Sequence, residues 1–145
     1  RDPALHTLFQ VEQAEGLSDM IMKKTPLESI IKNTLFENLR LITSGTPQPN
    51  SSLLLHYEHY ESFIRDARTK AAWILFDAPP VTTHNETGII AARTDGALLV
   101  IRSCKTSWEV ALSVLDRFRK HNGKVQGVIL NRHRMYIPGW LYKRL

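Results

Sequence analysis

Four short segments of the chain carry their apolar residues in runs. Asn38 to Thr43 is the first, Trp73 to Asp77 (WILFD) the second, Ala97 to Arg102 (ALLVIR) the third and Val125 to Asn131 (VQGVILN) the fourth. The second and third are almost continuously apolar, as strands covered on both faces of a parallel sheet are. Between the runs lie three stretches with helical spacing. Residues 51–69 place Leu54, Leu55, Phe63, Ile64 and Ala67 on one loose face, and Glu86 to Arg93 is a shorter stretch. Thr106 to His121 is the clearest: Thr106 and Glu109 match a capping box, and Val110, Leu112, Val114, Leu115 and Phe118 follow at helical intervals. Asn122-Gly123 ends it, because both residues tolerate positive φ.

The order β-α-β-α-β-α-β predicts an α/β fold, a parallel sheet with helices on both faces. Right-handed crossovers then bring the C-terminal ends of the strands to one edge, where ligands bind. Ahead of the first run, Leu5–Phe9, Leu17–Met22 and Leu27–Ile31 predict short helices separated by Gly16 and Pro26. They form a helical N-terminal segment.

Composition narrows the picture only a little. A chain of 145 residues with 43% hydrophobic content suits one packed domain. The net charge of +5 is concentrated near the C-terminus, where Arg132, Arg134, Lys143 and Arg144 have no acidic neighbours. Such an end can meet phosphates, acidic lipids or an acidic partner, or simply keep the surface wet. No nucleic-acid partner is expected, since the charge is modest and no recognition helix stands out. The single Cys104 excludes an intrachain disulfide and a Cys-rich metal site, and it is expected to be buried or half-buried. His56 and His59 lie three apart without a third ligand type beside them. No run is long enough to cross a bilayer, and Arg1-Asp2-Pro3 does not open a signal peptide.

Candidate chemistry collects at the expected strand ends. Asp77 closes an apolar run and is followed by Ala78, Pro79 and Pro80. A carboxylate there faces the ligand edge and matches the Walker B pattern, in which it positions hydrated Mg²⁺ or the attacking group. The competing reading is an Asp that caps the next turn. The two prolines favour the ligand edge, because they stop the strand at once and stiffen the loop. Asn131 closes the fourth run. Its amide can pair with a purine edge, though chemistry alone favours an Asn that starts a turn. Thr43 to Asn50 is a polar loop leaving the first run, with Asn50 or Ser51 as a helix N-cap, and it lies where a nucleotide could be touched.

Taken in order, these segments resemble the bacterial protein-tyrosine kinases (BY-kinases), relatives of the MinD/ParA group of P-loop ATPases. Arg1-Asp2-Pro3-Ala4-Leu5-His6 resembles the stretch after the family's D-x-D-x-R-x-P motif, with Arg1 in the arginine place. Gly16-Leu17-Ser18-Asp19 resembles its GLSD turn, and Ser44-Gly45 to Asn50 its SG-x-x-P-x-P-N loop. Phe76 to Pro80 is similar to its D-[TSA]-P-P segment, Asp95 to Val100 to its DGxLLV strand entry, and Lys105-Thr106 to its K-T pair. Gly127 to Asn131 is similar to its GVVLN strand, whose asparagine contacts adenine. Ser51 and Leu53 replace the proline and glutamate usual after the PN pair, and Glu86 stands where Asp is frequent. The motif G-x-x-x-x-G-K-[ST] and the D-x-D aspartates do not occur in this sequence. In the family they precede the point where this chain opens, so a P-loop NTPase-like fold is expected in part only. The piece alone is expected to bind ATP poorly and to be inactive.

The resemblance implies an enzyme in the intact protein that moves the γ-phosphoryl of ATP, with Mg²⁺, to tyrosines, mainly its own. Asp77 would be catalytic and orient the metal or its waters, and Arg1 would lie near the phosphates or a subunit interface. Asn131, Pro79 and Pro80 would bind the nucleotide. Tyr136 and Tyr142 are candidate acceptors, in a basic tail (132–145) that follows the kinase portion (1–131). That tail also reads as an amphipathic segment in which Trp140, Leu141 and Leu145 pack on a neighbour or a membrane. Further implications are a role in exopolysaccharide synthesis and export, a membrane-spanning chain-length regulator as fused or separate partner, a homo-oligomer, and a cytoplasmic place at the inner face of the membrane. Two rivals share the sheet: a MinD/ParA-like ATPase switch, and a degenerate subunit that only binds the polysaccharide machinery.

Overall fold

Glycine and proline punctuate the first third of the chain, and its helices are correspondingly short. The computed structural model describes residues 3–48 and 58–134, apart from the side chains of Glu58 and His59. The elements are α1 (Leu5–Leu8), α2 (Leu17–Lys23), α3 (Leu27–Ile30), β1 (Ile31–Asn33), β2 (Arg40–Ile42), α4 (Glu58–Arg68), α5 (Glu86–Ala92), β3 (Ala97–Arg102), α6 (Trp108–Lys120) and β4 (Val125–Asn131). They form two compact units, Arg1–Asp77 and Ala78–Leu145. Among the described residues no helix is long and apolar enough to cross a membrane.

In the first unit, α2 stops at Lys24, which turns left-handed (φ 60°) while its N–H bonds to Met20 O at 3.0 Å. Pro26 then opens α3. Met20, Ile21, Leu27 and Ile30 are buried together with Tyr60, Phe63 and Ala67 of α4. Phe76 completes an aromatic trio, with ring centroids 6.4 Å from Tyr60 and 6.3 Å from Phe63. These separations suit edge-to-face packing, which adds to the area term.

Two expectations are corrected here. The run 38–43 does not enter a parallel sheet, and Ile31 does not end a helix. Instead β2 pairs antiparallel with β1, Ile31 opposite Ile42 and Asn33 opposite Arg40. Thr34 closes this hairpin: its hydroxyl accepts from Phe36 N–H at 3.1 Å and donates to Leu39 O at 2.8 Å. A short loop costs little closure entropy, so local pairing wins over a distant partner. Trp73 to Asp77 joins no ladder among the described residues. It still alternates: Ile74 and Phe76 are half-buried, while Trp73 and Leu75 are 86% and 85% exposed. The expected cover on both faces is therefore present on one.

The second unit carries the parallel pair. β3 lies beside β4 with Leu99 opposite Val128 and Arg102 opposite Asn131, after an irregularity between Ala97 and Leu98. Ala97, Leu99 and Val125 pack on buried Val81, Ala91, Val114 and Phe118, so α5 and α6 cover that face. Leu98 and Val100 point the other way and are exposed. The class is the expected one, parallel α/β. At the start of α6 the cap shifts by one residue. Ser107 is the N-cap, accepting from Val110 N–H, because the Thr106 hydroxyl is taken by Arg102 N–H at 3.1 Å. Cys104, expected to be buried or half-buried, is exposed in this turn with φ 58°. At the other end Asn122 adopts φ 57° and Gly123 N–H bonds to Phe118 O at 2.8 Å.

Candidate nucleotide site

The loop after Asp77 is held by its carbonyls. Pro79 O accepts from the buried Thr87 hydroxyl at 2.7 Å. Pro80 O accepts from Thr83 N–H at 3.2 Å, His84 N–H at 3.1 Å and the Thr83 hydroxyl at 3.2 Å. Val81 O and Thr82 O both accept from Nη1 of Arg117 on α6, at 2.9 and 3.2 Å. Val81 itself is buried in the core beneath. Prolines without N–H groups, followed by a residue anchored in the core, restrict the shapes open to the loop.

Asp77 and Asn131 are both exposed. Asp77 is the last residue of the first unit, and Pro79, Pro80 and Asn131 belong to the second. The Asn131 carboxamide oxygen accepts from Arg132 N–H at 2.7 Å, where Arg132 turns left-handed at φ 55°. Its backbone oxygen accepts from Ser103 N–H at 2.9 Å, tying the two strand ends together. The turn-starting role is thus real. That bond uses the amide oxygen and leaves the NH₂ as a donor, which suits a purine ring nitrogen. Arg1, Tyr136 and Tyr142 lie outside the described residues, as do Asn50, Ser51 and the end of the tail.

The loop from Thr43 to Gln48 belongs to the first unit, and a buried carboxylate organises it. The Asp19 side chain is wholly shielded from solvent. One oxygen accepts from Gly16 N–H at 3.0 Å and Thr46 N–H at 2.9 Å. The other accepts from the Thr46 hydroxyl at 2.6 Å and pairs with Lys23 at 3.0 Å. Burial pushes this carboxyl up, but the bonds from Thr46, Lys23 and Gly16 outweigh it and hold Asp19 well below the usual carboxylate range. The contact raises Lys23 in turn. Leu17 N–H and Ser18 N–H bond to Thr43 O and Ser44 O, each at 3.0 Å, and the Ser18 hydroxyl donates to Thr46 O at 2.8 Å. The two glycines are obligatory. Gly45 has φ 79°, and a Cβ on Gly16 would collide with Thr43 O and Gly45 N.

Gly16, Asp19 and Gly45 stand in the family motifs, but the motifs do not reveal that the Asp19 carboxylate bonds to both loops, at Gly16 and Thr46. The spacing of two glycines around a buried acid was the available signal. Arg117 and Thr87 were missed outright, since on the helix surface Arg117 looks no different from Arg119 or Lys120.

No family model matches the chain. Among solved structures, the kinase domain of VpsO superposes with a TM-score of 0.86 at 25% identity, covering 92% of this chain and 66% of that one. The kinase domain of the Escherichia coli tyrosine kinase ETK gives 0.84 at 21% identity, covering 94% of this chain and 55% of that one. The architecture is that of a P-loop-type α/β kinase domain. In sequence, the chain is 30% identical over 131 residues to tyrosine-protein kinase YwqD of Bacillus subtilis, covering 90% of this chain and 55% of the relative. It is 31% identical over 126 residues to tyrosine-protein kinase wzc of Salmonella typhi, covering 87% of this chain and 18% of the relative. Over about nine-tenths of its length the chain is thus similar to bacterial tyrosine-protein kinases, and it spans about half the length of the shorter of these two relatives.

Proposed function

We propose that the intact protein is an ATP-dependent protein-tyrosine kinase that phosphorylates itself and regulates exopolysaccharide synthesis and export. The observation that carries this reading is the match along nine-tenths of the chain to a tyrosine-protein kinase, joined to the kinase-domain fold. The chemistry of the residues agrees. Phosphoryl transfer asks for positioning and charge neutralisation rather than covalent catalysis. Asp77 is an exposed oxygen donor on a stiffened loop. Mg²⁺ is a hard cation that takes one or two carboxylates together with phosphate oxygens and water, so Asp77 fits it. Mg²⁺ neutralises developing phosphate charge when bound. The role of Asp77 is to hold a carboxylate oxygen toward the metal or its waters.

Asn131 donates its NH₂ to the adenine, and Pro79 and Pro80 line the nucleotide. Arg1 lies by the phosphates or a subunit interface, and Tyr136 and Tyr142 receive phosphate. The partners are a membrane-spanning chain-length regulator, fused or separate, and further copies of the same chain, at the inner face of the cell membrane.

The test is incubation of the intact protein with radiolabelled ATP and Mg²⁺, followed by phosphotyrosine detection. Label retained on tyrosine is expected. Asp77→Asn is expected to lower it by roughly 100-fold or more, the scale of losing one transition-state charge contact. Release of free phosphate without phosphotyrosine would replace the kinase by an ATPase switch. An intact protein that neither binds nor uses ATP would be a non-catalytic subunit.

A further inference from the structure

The loop Pro79 to Thr82 has a feature its position on a surface does not require. Its four consecutive carbonyls are all taken by donors of the same unit: Thr87 on Pro79, Thr83 and His84 on Pro80, Arg117 on Val81 and Thr82. Water satisfies surface carbonyls at little cost, so a loop that only connects two elements needs no such set of side-chain anchors. Arg117 is the costliest of the anchors to order. It crosses from α6, thirty-six residues away from Val81, and commits one guanidinium nitrogen to two neighbouring carbonyls. Its neighbour Arg119 takes a different course, pairing with Asp116 on the helix surface.

We infer that Arg117 is a positioning residue for nucleotide: by holding Val81 and Thr82 it sets the shape of the Pro79-Pro80 loop before ATP arrives. This rests on the kinase reading above, in which Pro79 and Pro80 line the nucleotide. A planar guanidinium fixes both carbonyls in one direction, whereas a loop released from it samples several shapes and binds only in the competent one. Thr87 does the same at Pro79 from the buried side.

The experiment is steady-state autophosphorylation of the intact protein as a function of ATP concentration, with melting temperature measured alongside. Arg117→Ala is expected to raise the KM for ATP by roughly tenfold, with kcat changing less, since a misshapen binding loop costs occupancy before it costs chemistry. Arg117→Lys, which keeps a cationic donor, should recover part of that loss. An unchanged KM with a lowered melting temperature overturns the inference and makes Arg117 purely structural. Should Arg117→Ala fail to fold, Arg117→Lys and Thr87→Val decide by the same comparison, and an unmoved KM in both overturns it. Failure of the kinase reading is separate: the wild-type protein itself would then carry no phosphotyrosine.

Discussion

Removing the Asp19 carboxylate tests the physics of the first unit most directly. In Asp19→Ala, Gly16 N–H and Thr46 N–H lose their acceptor. Each stranded donor costs about 1–3 kcal/mol, so the substitution should cost roughly 3–5 kcal/mol once the vacated volume is added. Lys23 adds little, because it is 58% exposed and relaxes into water. Asp19→Asn separates charge from shape. Its carboxamide oxygen still receives both N–H groups, and the Thr46 hydroxyl can reverse and accept from the NH₂. Only the charge assistance is lost, about 1 kcal/mol per bond and about 2 kcal/mol in all. In thermal terms that is a fall of about 4–8 °C for a domain of this size.

The pH dependence has a definite sign. The folded carboxyl is held below its unfolded value of about 3.9, so its contribution is complete above that value and disappears as pH falls toward the folded one. The gap between wild type and Asp19→Asn should therefore be constant from neutral pH down to about pH 5 and narrow below about pH 4. Urea denaturation of the intact protein, followed by far-UV circular dichroism at both ends of that range, measures it. An Asp19→Ala variant within about 1 kcal/mol of wild type, less than a single stranded donor costs, would refute the reasoning. So would a gap that does not narrow in acid.

Gly45→Ala should destabilise by at least 2 kcal/mol or so, from the left-handed backbone and the approach of the new methyl to Asp19 and Ser18, and thermal melting checks it. Combined Tyr136→Phe and Tyr142→Phe should remove most phosphotyrosine from the autophosphorylated protein by mass spectrometry, and unchanged content would move the acceptors elsewhere.

Elements whose stability is local were legible in the chain itself. The stop residues of α6, the breaks at Gly16 and Pro26, and the apolar runs of β3 and β4 act within a few residues of each other, so their pattern suffices, whereas the α6 cap falls at Ser107, one residue past the expected Thr106. The family motifs were legible for a similar reason, since each is a short stretch with its own backbone demand. Pairing was not. Whether Leu41 meets a near strand or a far one depends on loop entropy against burial, and the run 38–43 reads the same in both cases. Trp73 and Leu75 show the same limit, for an apolar residue announces a preference and not the neighbour that satisfies it. Tertiary structure alone decided that Asp19 spans two loops and that Arg117 holds Val81 and Thr82. Those bonds join residues twenty-seven and thirty-six positions apart, and hydrogen-bond geometry at that range leaves no periodic trace in a sequence.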